Sequence, residues 1–429
     1  MLRTVLRLDF MAITSSSRIA SHTVYRAPLS RKQKARFPIF ILIVLGSTLA
    51  SCVVPLSIAG YHMSGWAWIV TSIAALLVLA RSRARLRFPV WIWVPWSCIL
   101  LSNLLFRSNI NAFQRTMMIL CPVLVGAASS CIGLRPNQMQ RLTAMLRYSV
   151  WVLWCSALVT YVGVQLILPG VTGLASQSMT GGLLASYFAV VYSLSKHRKW
   201  LMYWVAVALF PAFAVTRTAV VAVGLTLPAT LAPLKKSTRV VALALISFAC
   251  VVLFYTPRFQ NKMFFSGHGN ISDLSLDNPN FHSSGRSTMW VAMTREIEQK
   301  PWFGHGANAQ EVLLNDILHY STHPHNDWLR LEFDYGYIGT AIFALTISIQ
   351  MIHAFLLARS RSNWSRILLL TGAGAFLPFA MLMFTDNIII YCSFFGNLHF
   401  MLLGLGYGYI DRPRVWLSSH NTIRTRASA

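Results

Sequence analysis

The chain has 429 residues, 55% of them hydrophobic and only 11% charged, with a formal net charge of +25. A soluble domain carries about 25% charged residues, and apolar runs of roughly 20 residues, enough to cross a bilayer, recur throughout, which excludes an ordinary soluble enzyme. The positive charge does not indicate nucleic-acid binding, because Lys and Arg sit in short clusters between apolar runs and form no continuous basic face.

Residues 1–36 hold eight Lys/Arg and no apolar core. They read as a basic cytoplasmic tail rather than a cleaved leader. About twelve membrane-spanning helices are then expected, near 37–58, 65–80, 88–106, 116–132, 148–168, 180–195, 200–215, 217–234, 239–256, 336–358, 367–385 and 390–410. Residues 411–429 form a second basic tail. If the N-terminus is cytoplasmic, alternate loops and the two tails hold 28 of the 37 Lys/Arg. The positive-inside rule then puts both termini in the cytoplasm. The nine remaining cations include Arg107, Arg115, Arg217 and Arg258, all close to spans.

Acids and histidines gather elsewhere. Nine of the twelve Asp/Glu and six of the twelve His lie in residues 257–335, between the expected spans 1–9 (37–256) and 10–12 (336–410). This is the one long loop on the non-cytoplasmic side. Its length points to function or disorder; Trp290, Trp302 and Trp328 and a helical pattern over 286–299 point to a folded unit. No internal repeat is visible, which weighs against a transporter built from inverted repeats. The seven cysteines lie in or beside apolar runs without a C-x-x-C pair and read as small buried hydrophobes.

Four places carry residues suited to chemistry. In "AVTRTAVVAVG", Arg217 stands between two apolar runs, and an unpaired Arg at mid-bilayer costs about 2.5–3.5 kcal/mol. It must snorkel to an interface or face a polar cavity, where it could hold an anionic head group or a diphosphate. In "SSGRSTMW", Arg286 by itself reads as a helix-start residue or a surface cation. In "STHPHNDWL", His323, His325 and Asp327 are solvated loop residues, metal ligands without a recognised spacing, or a site with one histidine as general base. In "MFTDNIIIY", Asp386 either pairs with an arginine or ends a helix. The expected topology brings all four places to one face of the membrane.

With these residues in view, "HNDWLRLEFDYGYIG" resembles the bacterial O-antigen ligase and polysaccharide polymerase superfamily. His325, Asn326, Leu329, Asp334, Gly336 and Gly339 fit its pattern, with Asp334 where the family has Glu. "SGRSTMW" with "KPWFGHGAN", "TRTAVVAV" and "FTDNIIIY" are further family-like stretches, in the family's order. The resemblance is nearest to exopolysaccharide repeat-unit polymerases such as the xanthan type. It implies an all-α polytopic integral membrane protein of the bacterial inner membrane, with one large folded periplasmic loop and an architecture related to lipid-carrier-dependent (GT-C-like) glycosyltransferases. The implied reaction joins polyprenyl-diphosphate-linked oligosaccharides to a growing polysaccharide, with inversion and without cofactor or metal. The same fold could instead serve an O-antigen ligase or a protein O-oligosaccharyltransferase; a flippase for lipid-linked sugars is the rival of another class. In the residues, the resemblance implies His325 as general base and Arg217 and Arg286 as diphosphate stabilisers. Asn326, Asp334, Asp386 and Trp290 are expected to bind substrate or support the base, and His323 to be a bystander. Membrane lipid, a flippase and chain-length or export proteins are the further partners expected; nucleic acid is not.

Overall fold

The computed structural model describes residues 37–409 except 54–56, 59–60, 107–108, 168–173, 276–277, 284–285, 319–322 and 362. The two basic tails and Arg107 lie outside the described residues.

The first half of the chain runs through α1 (Ile39–Val53), α2 (Met63–Arg81), a 3₁₀ turn (Val90–Trp93) leading into α3 (Val94–Phe106), α4 (Ile110–Ser130) and α5 (Pro136–Ile167). It continues with α6 (Ala175–Ser195), α7 (Arg198–Phe213), α8 (Arg217–Gly224), α9 (Leu227–Leu231) and α10 (Lys236–Phe254). The long loop contributes α11 (Pro257–Met263), α12 (Arg286–Ile297) and α13 (Ala309–Leu318). The chain then returns through α14 (Asp327–Arg359), α15 (Asn363–Leu382) and α16 (Gly396–Gly408). Each of the twelve apolar runs expected to span falls on helix. Among the described residues, α2, α4, α5, α10, α14 and α15 are long and apolar enough to cross a membrane, while α1, α3 and the α8–α9 pair are shorter apolar helices. The fold fits a polytopic membrane protein. Among the described residues it departs from an all-helical chain where Ser57–Ile58 pairs antiparallel with Tyr61–His62 and at the isolated antiparallel bridge between Phe264 and Phe281.

Apolar composition serves two ends here. α10 presents nearly its whole surface outward, including Val240, Val241, Leu245 and Phe248, as a lipid-facing helix does. α16 is buried along its whole length. It can lie close to α4 because Gly404 has no side chain; a Cβ there would strike the Gly126 carbonyl. Two of its buried polar side chains each make one hydrogen bond across the packing: Asn397 donates to Thr71 Oγ1 at 3.1 Å, and His399 Nε2 meets the Gly372 carbonyl at 2.7 Å.

Two small cores order the long loop. Met289, Met293 and Ile297 of α12 pack with Ala309 and Leu314 of α13 and Phe333 of α14. Phe259, Met263 and Phe264 pack with Val215 and Phe254, at the ends of the neighbouring helices. α14 starts at Asp327, capped by Asn326, and breaks at Gly336, whose φ of 68° is open to glycine. The break frees backbone groups that residues 301–306 take up. His305 and Gly306 amides donate to the Phe333 and Asp334 carbonyls at 2.8 and 2.9 Å. The Tyr337 amide donates to Pro301 at 2.7 Å. A Cβ at Gly336 would collide with the Trp302 carbonyl. "KPWFGHG" and "DYGYIG" are therefore two halves of one backbone crossing.

Candidate active site

The site is assembled from three segments: the turn into α8, the start of α12 with the loop before α14, and residues 383–391. Arg217 is the first residue of α8 and follows a turn in which buried Val215 has φ 50°. A β-branched residue in that region is strained, and such strain concentrates at functional sites. The Arg217 guanidinium donates through Nη1 to the His282 carbonyl at 3.3 Å and meets Met263 Sδ at 3.4 Å. It also lies over the Phe281 ring, 5.7 Å from the centroid. Next to it, Thr218 hydrogen-bonds Thr385 through their hydroxyls, tying α8 to the segment that carries Asp386.

Arg286 opens α12. It is within electrostatic range of Arg217 and of Asp386. Burial pushes its guanidinium below the usual range, and Asp386 works in the opposite direction. Lys262, at the end of α11, was not singled out in the sequence. Burial pushes its ammonium down, and Arg217, Arg258 and Arg286 push it further. Among the described residues these cations therefore act on one another, with the Asp386 carboxylate acting on Arg286.

His325 stands just before the cap of α14 with φ 49°, and its side chain is 38% exposed. Its Nδ1 is 3.7 Å from Asp386 Oδ1 and 3.1 Å from the Asn387 carboxamide. Trp290 holds the preceding residue, donating Nε1–H to the Pro324 carbonyl at 2.8 Å. Residues 383–389 are clamped in place by Asp327. Its amide donates to Met383 at 2.7 Å, and its Oδ2 accepts from the Ile389 amide at 2.8 Å.

Of the residues expected to act together, His325 lies against Asp386, Asp386 is within electrostatic range of Arg286 and Arg286 of Arg217, and Trp290 holds the Pro324 carbonyl. Asn326 and Asp334 do not contact the His325 ring. Asn326 Oδ1 accepts from the Leu329 amide at 3.1 Å, as an N-cap does. Asp334 is fully buried; it accepts from the amides of Asn308 (3.2 Å) and Gln310 (3.1 Å), and Arg330 Nε lies 3.6 Å away. It braces the 304–310 loop against α14. The partner that sequence reasoning missed is Asn387. Its only signal was adjacency to Asp386. His323 is no isolated residue either: Arg115 Nη2 lies 3.4 Å from its Nε2.

Comparison with known proteins adds one finding. Residues 208–344 match the family model described as O-antigen ligase. No curated protein matches the chain. The matched stretch contains Arg217, Arg286 and His325 but stops short of Asp386 and Asn387. Across it, the chain resembles the O-antigen ligase and polysaccharide polymerase superfamily.

Proposed function

We propose that the protein is a polysaccharide polymerase, joining polyprenyl-diphosphate-linked oligosaccharide repeat units at the periplasmic face of the inner membrane. The observation that carries this reading is the meeting of His325 with a crowd of cations through Asp386.

The acceptor hydroxyl loses its proton to His325 as its oxygen bonds to the anomeric carbon of the donor. The bond from that carbon to the diphosphate oxygen breaks, and the diphosphate leaves with the electron pair. A leaving group of this kind gathers negative charge. Arg217, Arg286 and Lys262, already pressed against one another, are relieved by an anion placed among them. Arginine forks suit two phosphoryl groups better than point charges do.

Asn387 supports the choice of base. The carboxamide Oδ1 is buried without a hydrogen-bond partner while its nitrogen end faces His325 Nδ1. In one tautomer the amide nitrogen donates to Nδ1; with the amide turned over, Nδ1–H donates to Oδ1 and Nε2 keeps a free lone pair for the acceptor proton. Asp386 then stabilises the imidazolium that forms. A positioned base of this kind contributes about 10²–10⁴-fold.

Deleting the gene and restoring it as wild type or as His325→Ala tests the reading. The deletion is expected to lose high-molecular-weight polymer and accumulate single lipid-linked repeats. Wild type restores polymer; His325→Ala, present in the membrane at normal level, does not. Intact polymer that is no longer joined to lipid A–core would make the protein a ligase instead. Normal polymer from His325→Ala would remove the base.

A further inference from the structure

The chemistry above uses one charged group and leaves another unexplained. Arg115, on α4, lies 3.8 Å from Glu311 of α13 and 3.4 Å from His323, with the Arg115 and Glu311 side chains about one-fifth exposed. The His323 ring meets Tyr391 edge to face, 6.2 Å between centroids. Behind these lies a buried layer. Asn308 donates its amide to Glu311 and accepts from Arg330 Nη2 at 3.4 Å, and Arg330 sits 3.6 Å from Asp334. Arg330 Nη1 and Gln310 Oε1 are buried without a hydrogen-bond partner among the described residues. Asn308 has φ 59°, the third non-glycine left-handed residue of this region after Val215 and His325.

Charge balance separates this group from the one around Arg286. Among the described residues, Arg217 and Lys262 stand within electrostatic range of Arg286, and Asp386 acts on Arg286. Here Arg115 and Arg330 are matched by Glu311 and Asp334. A diphosphate would meet Glu311 and be repelled. A neutral sugar would not. Each sugar hydroxyl donates one hydrogen bond and accepts others, so it is recognised by carboxylate, guanidinium and amide side by side. The half-buried rings of Tyr391 and His323 keep an aromatic edge or face of the kind that suits the C–H faces of a pyranose.

Position gives the group its task. His323 is two residues from His325 across Pro324, whose carbonyl Trp290 holds. Tyr391 is on the same segment as Asp386 and Asn387. The reaction needs a second saccharide with its hydroxyl at the base. We propose that Arg115, Glu311, His323 and Tyr391 form the acceptor-saccharide subsite, binding the hydroxyls of the incoming sugar beside His325. The assignment rests on the polymerase reading and names its second substrate site. Arg115 and Tyr391 lie outside the stretch that matches the O-antigen ligase family, as a group fitted to one particular saccharide would allow.

The test separates the two ligands. The full chain, purified in detergent, is titrated with two probes: repeat-unit oligosaccharide freed from the host's lipid-linked pool by mild acid, and polyprenyl diphosphate without sugar. Arg115→Ala is expected to weaken oligosaccharide binding about tenfold or more, and the isosteric Glu311→Gln by several-fold, as loss of charge-assisted hydrogen bonds does. Both should leave polyprenyl diphosphate binding unchanged, and Arg286→Ala should do the reverse. In turnover, Glu311→Gln raises the acceptor KM with kcat nearly unchanged. Equal weakening of both probes would make the group structural and overturn the subsite. Unchanged oligosaccharide binding in Glu311→Gln and Arg115→Ala would overturn it as well, and Glu311→Gln alone decides if Arg115→Ala does not fold. A wild type that binds polyprenyl diphosphate but no oligosaccharide sinks the subsite and spares the polymerase reading. Binding of neither probe removes that reading and the subsite with it.

Discussion

Two charged groups converge on residues 323–327, and their difference lies in balance. Arg286 reaches His325 through Asp386, Arg217 and Lys262 stand within electrostatic range of Arg286, and cations are in excess among these described residues. Arg115 and Arg330 reach His323 and α14 and are paired with Glu311 and Asp334. Both are built from the same side chains. An excess of cation is costly to hold together and is relieved only by an anion from outside. A matched set is self-sufficient and leaves hydrogen-bonding capacity for a neutral ligand. The comparison can be broken from the balanced end first. Asp334→Ala leaves Arg330, 2% exposed, without its counter-charge. Removing one partner of a buried pair costs about 3–5 kcal/mol, and the 304–310 loop loses two amide acceptors as well. Thermal unfolding of the purified protein should show that loss, and Asp334→Ala/Arg330→Met should recover much of it. An unchanged midpoint in Asp334→Ala would mean that the pair does not brace the loop.

The cation-rich end is probed by Arg286. Arg286→Ala removes a donor aimed at developing charge, a change worth about 10²–10³ in rate. Arg286→Lys keeps the charge and loses the planar fork, so its polymer yield should fall between wild type and Ala. Stability should move little or even rise, because the remaining cations repel one another less. Equal activity in Arg286→Lys and wild type would show that charge alone matters there. Full activity in Arg286→Ala would exclude the residue from the site.

What the sequence made legible follows from the reach of each signal. Apolar runs mark membrane helices because lipid selects composition, and all twelve runs fall on helix. Composition does not say which helix faces lipid: α10 and α16 are both strongly apolar, and only packing distinguishes the exposed one from the buried one. Arg217, Arg286, His325 and Asp386 were readable because each stands out against apolar or motif-bearing neighbours. Asn387 and Arg115 were not. Their meaning lies in contacts with residues 62 and 208 positions away, and nothing local announces such a contact. Asn326 and Asp334 have structural partners that the motif does not announce. They stand beside the base in the motif, but helical geometry turns one into a cap and the other into a strut. The start of α14 was legible in principle, since Asn-Asp ahead of an apolar helix is a start signal. The glycine at 336, where the span was expected to begin, marks a break within the helix.

The finest adjustment of the comparison is Trp290. Its indole N–H donates to the Pro324 carbonyl, the point midway between His323 and His325. Trp290→Phe keeps most of the apolar surface packed on the α12–α13 core and removes only that donor. A neutral hydrogen bond contributes about 1 kcal/mol, so the expected loss of activity is several-fold rather than a hundredfold. Because Pro324 carries both histidines, the loss should be shared: kcat falls as His325 is held less firmly, and the acceptor KM rises as His323 shifts. A change in kcat alone would place His323 outside the same rigid loop. A fall as large as that of Arg286→Ala would mean that Trp290 touches substrate directly.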